Sequence, residues 1–360
     1  MRMNTVAALI MGSILLAGCE STTGPGGDVG PDGRLYVPNQ ADSTMYVYDT
    51  RTMVRVDSFP IPIAEPHMVE FSHDMAYYYV VGRQPAGRLL KYQASNDSVI
   101  ATVQVPGAVF PTSLVISHNN DTLYLTDFTL GAGHTHRYDV SGTNFLWRDS
   151  ILQAGYQTHD IRISPDGRYV VSAGFSSDDI TILDLVTGNV QPLTIDSARS
   201  GFNPVSNVYG PYGVLIDRNG TRAILACSKG VDQLRIIDLV NLTILDSIVI
   251  PVSNTGNADR NGPTYMVISP DNNIVFVTNF LDNTVSVVRL STREVLTTIP
   301  FETPRPFGIA MSEDGSRVYV SCTNIRPARG RVYVIDADKY TKIDSVEVGS
   351  EPFGLVWMPL

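Results

Sequence analysis

A short turn recurs seven times along this chain, and its spacing restricts the fold more than any other feature. The copies are Pro66-His67-Met68, Pro111-Thr112-Ser113, Thr158-His159-Asp160, Pro211-Tyr212-Gly213, Pro263-Thr264-Tyr265, Pro306-Phe307-Gly308 and Pro352-Phe353-Gly354. They stand 45, 47, 53, 52, 43 and 46 residues apart. Between copies lie four short β-rich runs, clearest in Gly308–Met311, Arg317–Ser321, Arg331–Ile335 and Lys342–Val348. The Gly and Asp residues that separate such runs tolerate tight turns, while Val, Ile and Tyr suit a pleated, half-buried surface. Each unit is therefore an antiparallel meander with two faces to bury, and it needs a neighbour on either side. Four strands at this period are the signature of propeller blades.

The ends of the array complement each other. The first unit begins at Pro31-Asp32-Gly33, already in the turn that follows a first strand, and the last copy supplies only Pro352 to Trp357. These observations predict an all-β, seven-bladed propeller of four-stranded antiparallel blades over residues 31–360, its ring closed by the C-terminal strand pairing into blade 1.

The second strands end in Tyr36-Val37-Pro38-Asn39, Leu125-Thr126-Asp127, Val277-Thr278-Asn279 and Tyr319-Val320-Ser321-Cys322. With Asn283–Val288 and Ser269-Pro270-Asp271, these stretches resemble the YVTN family of β-propeller repeats. The resemblance covers about residues 31–360. It implies the fold, with relatives among surface-layer and secreted bacterial propellers and, more distantly, lactonase-type and haem-d1-type propellers. His73-Asp74-Met75 and His118-Asn119-Asn120 depart from the Pro-Asp-Gly turn of the repeat.

Residues 1–18 read as a signal peptide, with Arg2 ahead of the apolar stretch Val6–Ala17, too short to span a bilayer. Leu16-Ala17-Gly18-Cys19 resembles a bacterial lipobox, which implies lipidation of Cys19. Residues 19–30 are then the lipidated Cys and a flexible tether, the eleven residues from Glu20 spanning about 20 Å. The expected location is extracytoplasmic, periplasmic or cell-surface, and Glu20 after the Cys points to the outer membrane. Removing residues 1–18 takes away one Arg and no acid, so the formal charge of −10 becomes −11. Such a chain has no general affinity for nucleic acid or anionic lipid, so membrane contact is expected through the anchor alone. Cys227 and Cys322 end second strands of non-adjacent blades and read as buried free thiols.

In a propeller the recurrent turn faces one mouth of the central channel, where seven units converge. The candidate binding residues are His67, Thr112, His159, Asp160, Tyr212, Thr264, Tyr265, Phe307 and Phe353. His67, His159 and Asp160 are the residue types of a transition-metal site, but no close ligand spacing joins them, and polar residues lining a wet channel are the simpler expectation. No cofactor is expected beyond the lipid on Cys19. His134 and His136 lie in blade 3 on what alternation makes a polar face, so exposed histidines are expected. Insertions at Asp196–Gly210 and Val252–Gly262 decorate the mouth face.

The chain holds no Gly-x-Ser-x-Gly elbow, phosphate loop, CxxCH or HExxH. With the anchor, this leads to the expectation of a non-catalytic binding or scaffolding module for another envelope protein or membrane complex. The alternative is a lactonase-like or metal-dependent enzyme, or a small-ligand binder, with its site at the channel mouth.

Overall fold

A computed structural model of the protein describes residues 30–84, 87–107, 110–129, 132–195, 208–251, 262–324 and 326–360. Residues 1–29, where a signal peptide and a lipidated Cys19 are expected, and most of both insertions lie outside the described residues. Twenty-eight strands form seven four-stranded antiparallel sheets, and no helix occurs among the described residues. Blade 1 is built from β1 (Gly33–Asn39), β2 (Thr44–Asp49), β3 (Val54–Pro60) and β28 (Val356–Pro359), in the order β28-β1-β2-β3. The C-terminal strand therefore closes the ring, pairing Leu35 with Trp357 and Tyr36 with Val356. A side chain at Gly33 would strike the Trp357 indole, its Cβ only 2.5 Å from Nε1, so the seam needs glycine there.

The core sits between blades. Seven apolar clusters of described residues each join two adjacent sheets, one per seam. Tyr79, Leu89, Leu114 and Leu125 join blades 2 and 3, while Leu35, Val37, Tyr319 and Val332 join blades 7 and 1. The Tyr78 and Tyr79 rings are fully buried in two different seams. Cys227 and Cys322 are buried free thiols, and burial pushes both well above the usual thiol range.

The turn from first to second strand is built on a Ser-x-Asp or Ser-x-Asn in blades 2, 3, 4, 6 and 7, and on Asp217 in blade 5. Ser312 Oγ donates to Asp314 Oδ1 at 2.6 Å, and Gly315 follows at φ +74°. The two departing blades keep this geometry. Ser72 donates to Asp74 and Ser117 to Asn119, and Met75 (φ 55°) and Asn120 (φ 59°) adopt the left-handed conformation themselves. His73 and His118 are exposed, as turn residues should be, but their rings meet at a tilt, 4.4 Å between centres.

Candidate active site

Each mouth residue is positioned by a bulge that opens its first strand. The ladder skips between Pro111 and Leu114, Pro263 and Met266, and Pro306 and Ile309, among others. In three blades a hydroxyl from the second strand, the Thr or Ser of the recurrent tetrad, fills the gap. Thr126 Oγ1 accepts from Ser113 N, Thr278 Oγ1 from Tyr265 N, and Ser321 Oγ from Gly308 N. The same hydroxyls donate across the seam to the mouth residue of the next blade: Thr126 to His159 O, Thr278 to Phe307 O, Ser321 to Phe353 O at 2.8 Å. The tetrad thus locks one blade's second strand to its neighbour's mouth backbone. Next to the axis the chain runs so close that a Cβ at Gly213 would lie 1.9 Å from Thr264 O.

The seven mouth residues do converge, but the result is an aromatic plug rather than a wet channel. Phe307 sits among Phe353 (4.8 Å between ring centres), Tyr265 (5.0 Å) and His67 (5.7 Å). His159 stacks on Tyr212 at 3.6 Å and lies 6.3 Å from His67. Thr112 and Thr264 turn inward: Thr112 Oγ1 donates to His159 O, and Thr264 Oγ1 bonds Thr278 Oγ1. Tyr265, one residue deeper, bonds His159 Nδ1 through its hydroxyl at 3.3 Å. Six rings, those of His67, His159, Tyr212, Tyr265, Phe307 and Phe353, can meet here because ring faces and edges attract, whereas a set of wet polar groups would need water in a narrow tube.

A second ring surrounds the plug, and sequence reasoning missed it. The ladders pair the Pro or Thr of each turn with Asn39, Gly82, Asp127, Gly174, Cys227, Asn279 or Cys322. In three blades the residue after these is a Phe that packs over the mouth residue of the next blade. Phe128 lies against His159, Phe175 against Tyr212, and Phe280 against Phe307. In blades 1 and 2 that place holds Gln40 and Arg83. Gln40 Oε1 bonds His67 Nδ1 at 3.0 Å, and the Arg83 guanidinium lies 5.2 Å from the Phe110 ring centre. A Gln and an Arg one residue beyond the tetrad, where blades 3, 4 and 6 carry Phe, were the only available signal.

The mouth is therefore asymmetric: polar at Gln40, His67 and Arg83, and mainly aromatic over the sector of Phe175, Tyr212, Phe280, Phe307 and Phe353. The aromatic side holds a pocket of about 210 Å³, lined by Phe175, Tyr212, Phe280, Leu281, Phe307 and Phe353 among others. Burial holds His67 well below its ordinary 6.5, and the nearby Arg83 charge pushes it further. His159 is lowered the same way by burial, then by His67 and Arg83. Both rings are neutral at pH 7. Gln40 offers its carbonyl oxygen to His67, so Nδ1 carries the proton and Nε2 keeps its lone pair. That Nε2 is buried without a hydrogen-bond partner, as is Arg83 Nε. Orphaned buried polar atoms are rare in folded proteins and point to a missing partner.

Asp160 does not join the two histidines. Its carboxylate is fully buried below the plug, accepting from Ser113 Oγ (2.8 Å) and Val214 N (2.9 Å) and pairing with Arg162 (3.0 Å). No group of three His, Cys, Asp or Glu poised to share a metal occurs among the described residues. His136 also departs from expectation. It is 5% exposed, with neither ring nitrogen bonded, because the alternating face it occupies is a blade seam rather than a surface.

A family model described as "Lactonase, 7-bladed beta-propeller" matches residues 88–325. A 240-residue stretch is 28% identical to a 6-phosphogluconolactonase of Xenorhabdus nematophila, covering 62% of this chain and 66% of that protein. A 6-phosphogluconolactonase of Photorhabdus laumondii is 27% identical over 199 residues, covering 53% and 54%. The matched region thus spans less than two thirds of each curated relative. Among solved structures, the periplasmic gluconolactonase of Pseudomonas aeruginosa shares the fold at a TM-score of 0.73 and 18% identity, over 91% of this chain and 99% of that one. These matches overturn the expectation of a non-catalytic scaffold for an envelope partner. Its warrant was the lack of linear catalytic motifs, but a propeller assembles its mouth from seven distant positions that no short motif can register.

Proposed function

The chain belongs to the lactonase, seven-bladed β-propeller family, and from that premise we propose that it hydrolyses the cyclic ester of a small sugar-acid lactone at the channel mouth. The observation that carries this reading is the neutral His67, oriented by Gln40, with a free Nε2 lone pair in the same polar sector as Arg83. The lactone ring packs on Tyr212, Phe307 and Phe353, and rotation of the half-buried Phe353 uncovers Nε2. Water attacks the carbonyl carbon while His67 Nε2 takes its proton. Arg83 stabilises the oxyanion that forms. The carbonyl–ring oxygen bond then breaks, the imidazolium returns the proton to the leaving oxygen, the new carboxyl gives its proton to solvent, and the hydroxy acid departs after its carboxylate pairs with Arg83. His159 and Tyr265 wall the site, with Tyr265 held far above its usual range by burial and so a donor throughout.

The test is lactone hydrolysis by the folded chain and two variants. His67→Ala and Arg83→Ala should each lower kcat/KM by about 10²-fold or more. Unchanged rates in both would remove the mouth from the chemistry.

The same proposal takes the repeats as YVTN-like and the protein as an extracytoplasmic lipoprotein anchored through Cys19 at the outer membrane. The tetrad hydroxyls support the first. Leu16-Ala17-Gly18-Cys19 and the Gly-rich segment after it support the second.

A further inference from the structure

Below the plug the channel widens into a chamber of about 310 Å³, walled by the first strands of all seven blades. That is the volume of about ten liquid waters at ~30 Å³ each. One level of this wall is set by register. Glu70 pairs with Tyr79 and Arg162 with Val171, equivalent steps of blades 2 and 4. The same step in the other blades is Val115, Leu215, Val267, Ala310 or Val356. Two opposite charges therefore face one apolar tube.

The two feel each other's charge but share no hydrogen bond or ion pair. Arg162 uses Nη1 on Asp160 Oδ1 and on Ile161 O, both at 3.0 Å, and its side chain stays 29% exposed. Its Nε and Nη2 have no partner among the described residues. Glu70 makes no hydrogen bond or ion pair with any described residue; burial pushes its carboxyl up to about 7, with Asp160 adding to the rise and Arg162 opposing it. A half-buried charged group without a full set of partners is costly, and two of opposite sign at one level are complementary to a ligand carrying both. A metal cation is a poor match, since one carboxylate stands alone against hydrocarbon. A simple anion would meet Glu70. The lining residues Met311, Val356 and Trp357 are half-buried, so the chamber meets solvent on the face opposite the mouth.

We propose that this chamber binds a small zwitterion, an α-amino acid with an apolar side chain. Its ammonium sits on Glu70, its carboxylate on the free edge of Arg162, and its side chain against Met68, Met311 and Leu355. The site is separate from the mouth and does not depend on the hydrolytic reading.

Calorimetric titration of the intact folded chain with leucine and methionine tests this, beside N-acetyl-leucine and leucinamide, which each lack one charge. Saturable binding of the amino acids is expected, with each single-charge analogue at least about tenfold weaker. Glu70→Gln should weaken leucine to a similar degree. No saturable binding up to about 10 mM, or analogues that bind as well as leucine, would overturn the proposal. If Glu70→Gln fails to fold, the analogue series on the unaltered chain decides alone.

Discussion

At the scale of single residues, protonation states carry the chemistry. His67 is lowered below 6.5 by burial and by Arg83. A base with a lowered pKa keeps its lone pair as pH falls, so kcat/KM should stay level from pH 8 through 6.5 and drop only below that. A limb centred at 6.5 in the pH–rate profile would mean a solvated histidine is the base. Glu70 works in the opposite direction. Its folded value near 7 exceeds its ordinary 4.5, so the native state holds a proton that the unfolded chain releases between those values. Its contribution to stability is fully present below pH 4.5 and is lost as pH rises through 7. Glu70→Gln should therefore melt higher than the parent at pH 8, with the gap closing towards pH 4.5; thermal melts across that range check it. The positions at the mouth were legible because a Pro-x turn recurs. Their partners were not. Gln40, Arg83, Glu70 and Arg162 acquire meaning only when ladders bring residues of different blades to one level.

At the scale of strands and turns, two kinds of local device hold the blades. The Thr278 hydroxyl accepts from Tyr265 N and donates to Phe307 O. Thr278→Val keeps the shape but orphans both buried groups, and a loss of about 2 kcal/mol in denaturant unfolding is expected. The turn of blade 2 offers a gain. Met75 is exposed and left-handed, a conformation that costs an L-residue about 1 kcal/mol. Met75→Gly should therefore stabilise the protein by about that amount, and a less stable variant would show that the Met side chain anchors the turn. The sequence pattern marked this turn as a departure from Pro-Asp-Gly. Its conformation nonetheless persists, because the Ser72–Asp74 hydrogen bond dictates the geometry rather than the glycine. Alternation along strands also identified which faces pair, but not that a polar-looking face such as that of His136 lies in a seam.

At the scale of the molecule, closure follows from the two ends of the array, and the proposed extracytoplasmic address from residues 1–30 ahead of it. Closure is observed in the pairing of β28 with β1. Deleting residues 355–360 should expose the edge of Gly33–Asn39, strip Leu355 from the blade 7–1 seam, and lower Tm by roughly 10 °C or more. A truncated protein that melts like the parent would show the ring does not rely on this strand. Cys19→Ala should move the protein from the membrane pellet to the soluble extracytoplasmic fraction if the lipid is its anchor. What the sequence left hidden at this scale was activity, since a site assembled by seven blades has no linear signature. The most direct measurement is the initial rate of sugar-acid lactone opening at pH 6, where the spontaneous reaction is slow, followed by proton release. The expected result is a saturable acceleration by the intact chain that His67→Ala abolishes. A rate no faster than the spontaneous one, across a series of lactones, would contradict the assignment of a hydrolytic site to this mouth.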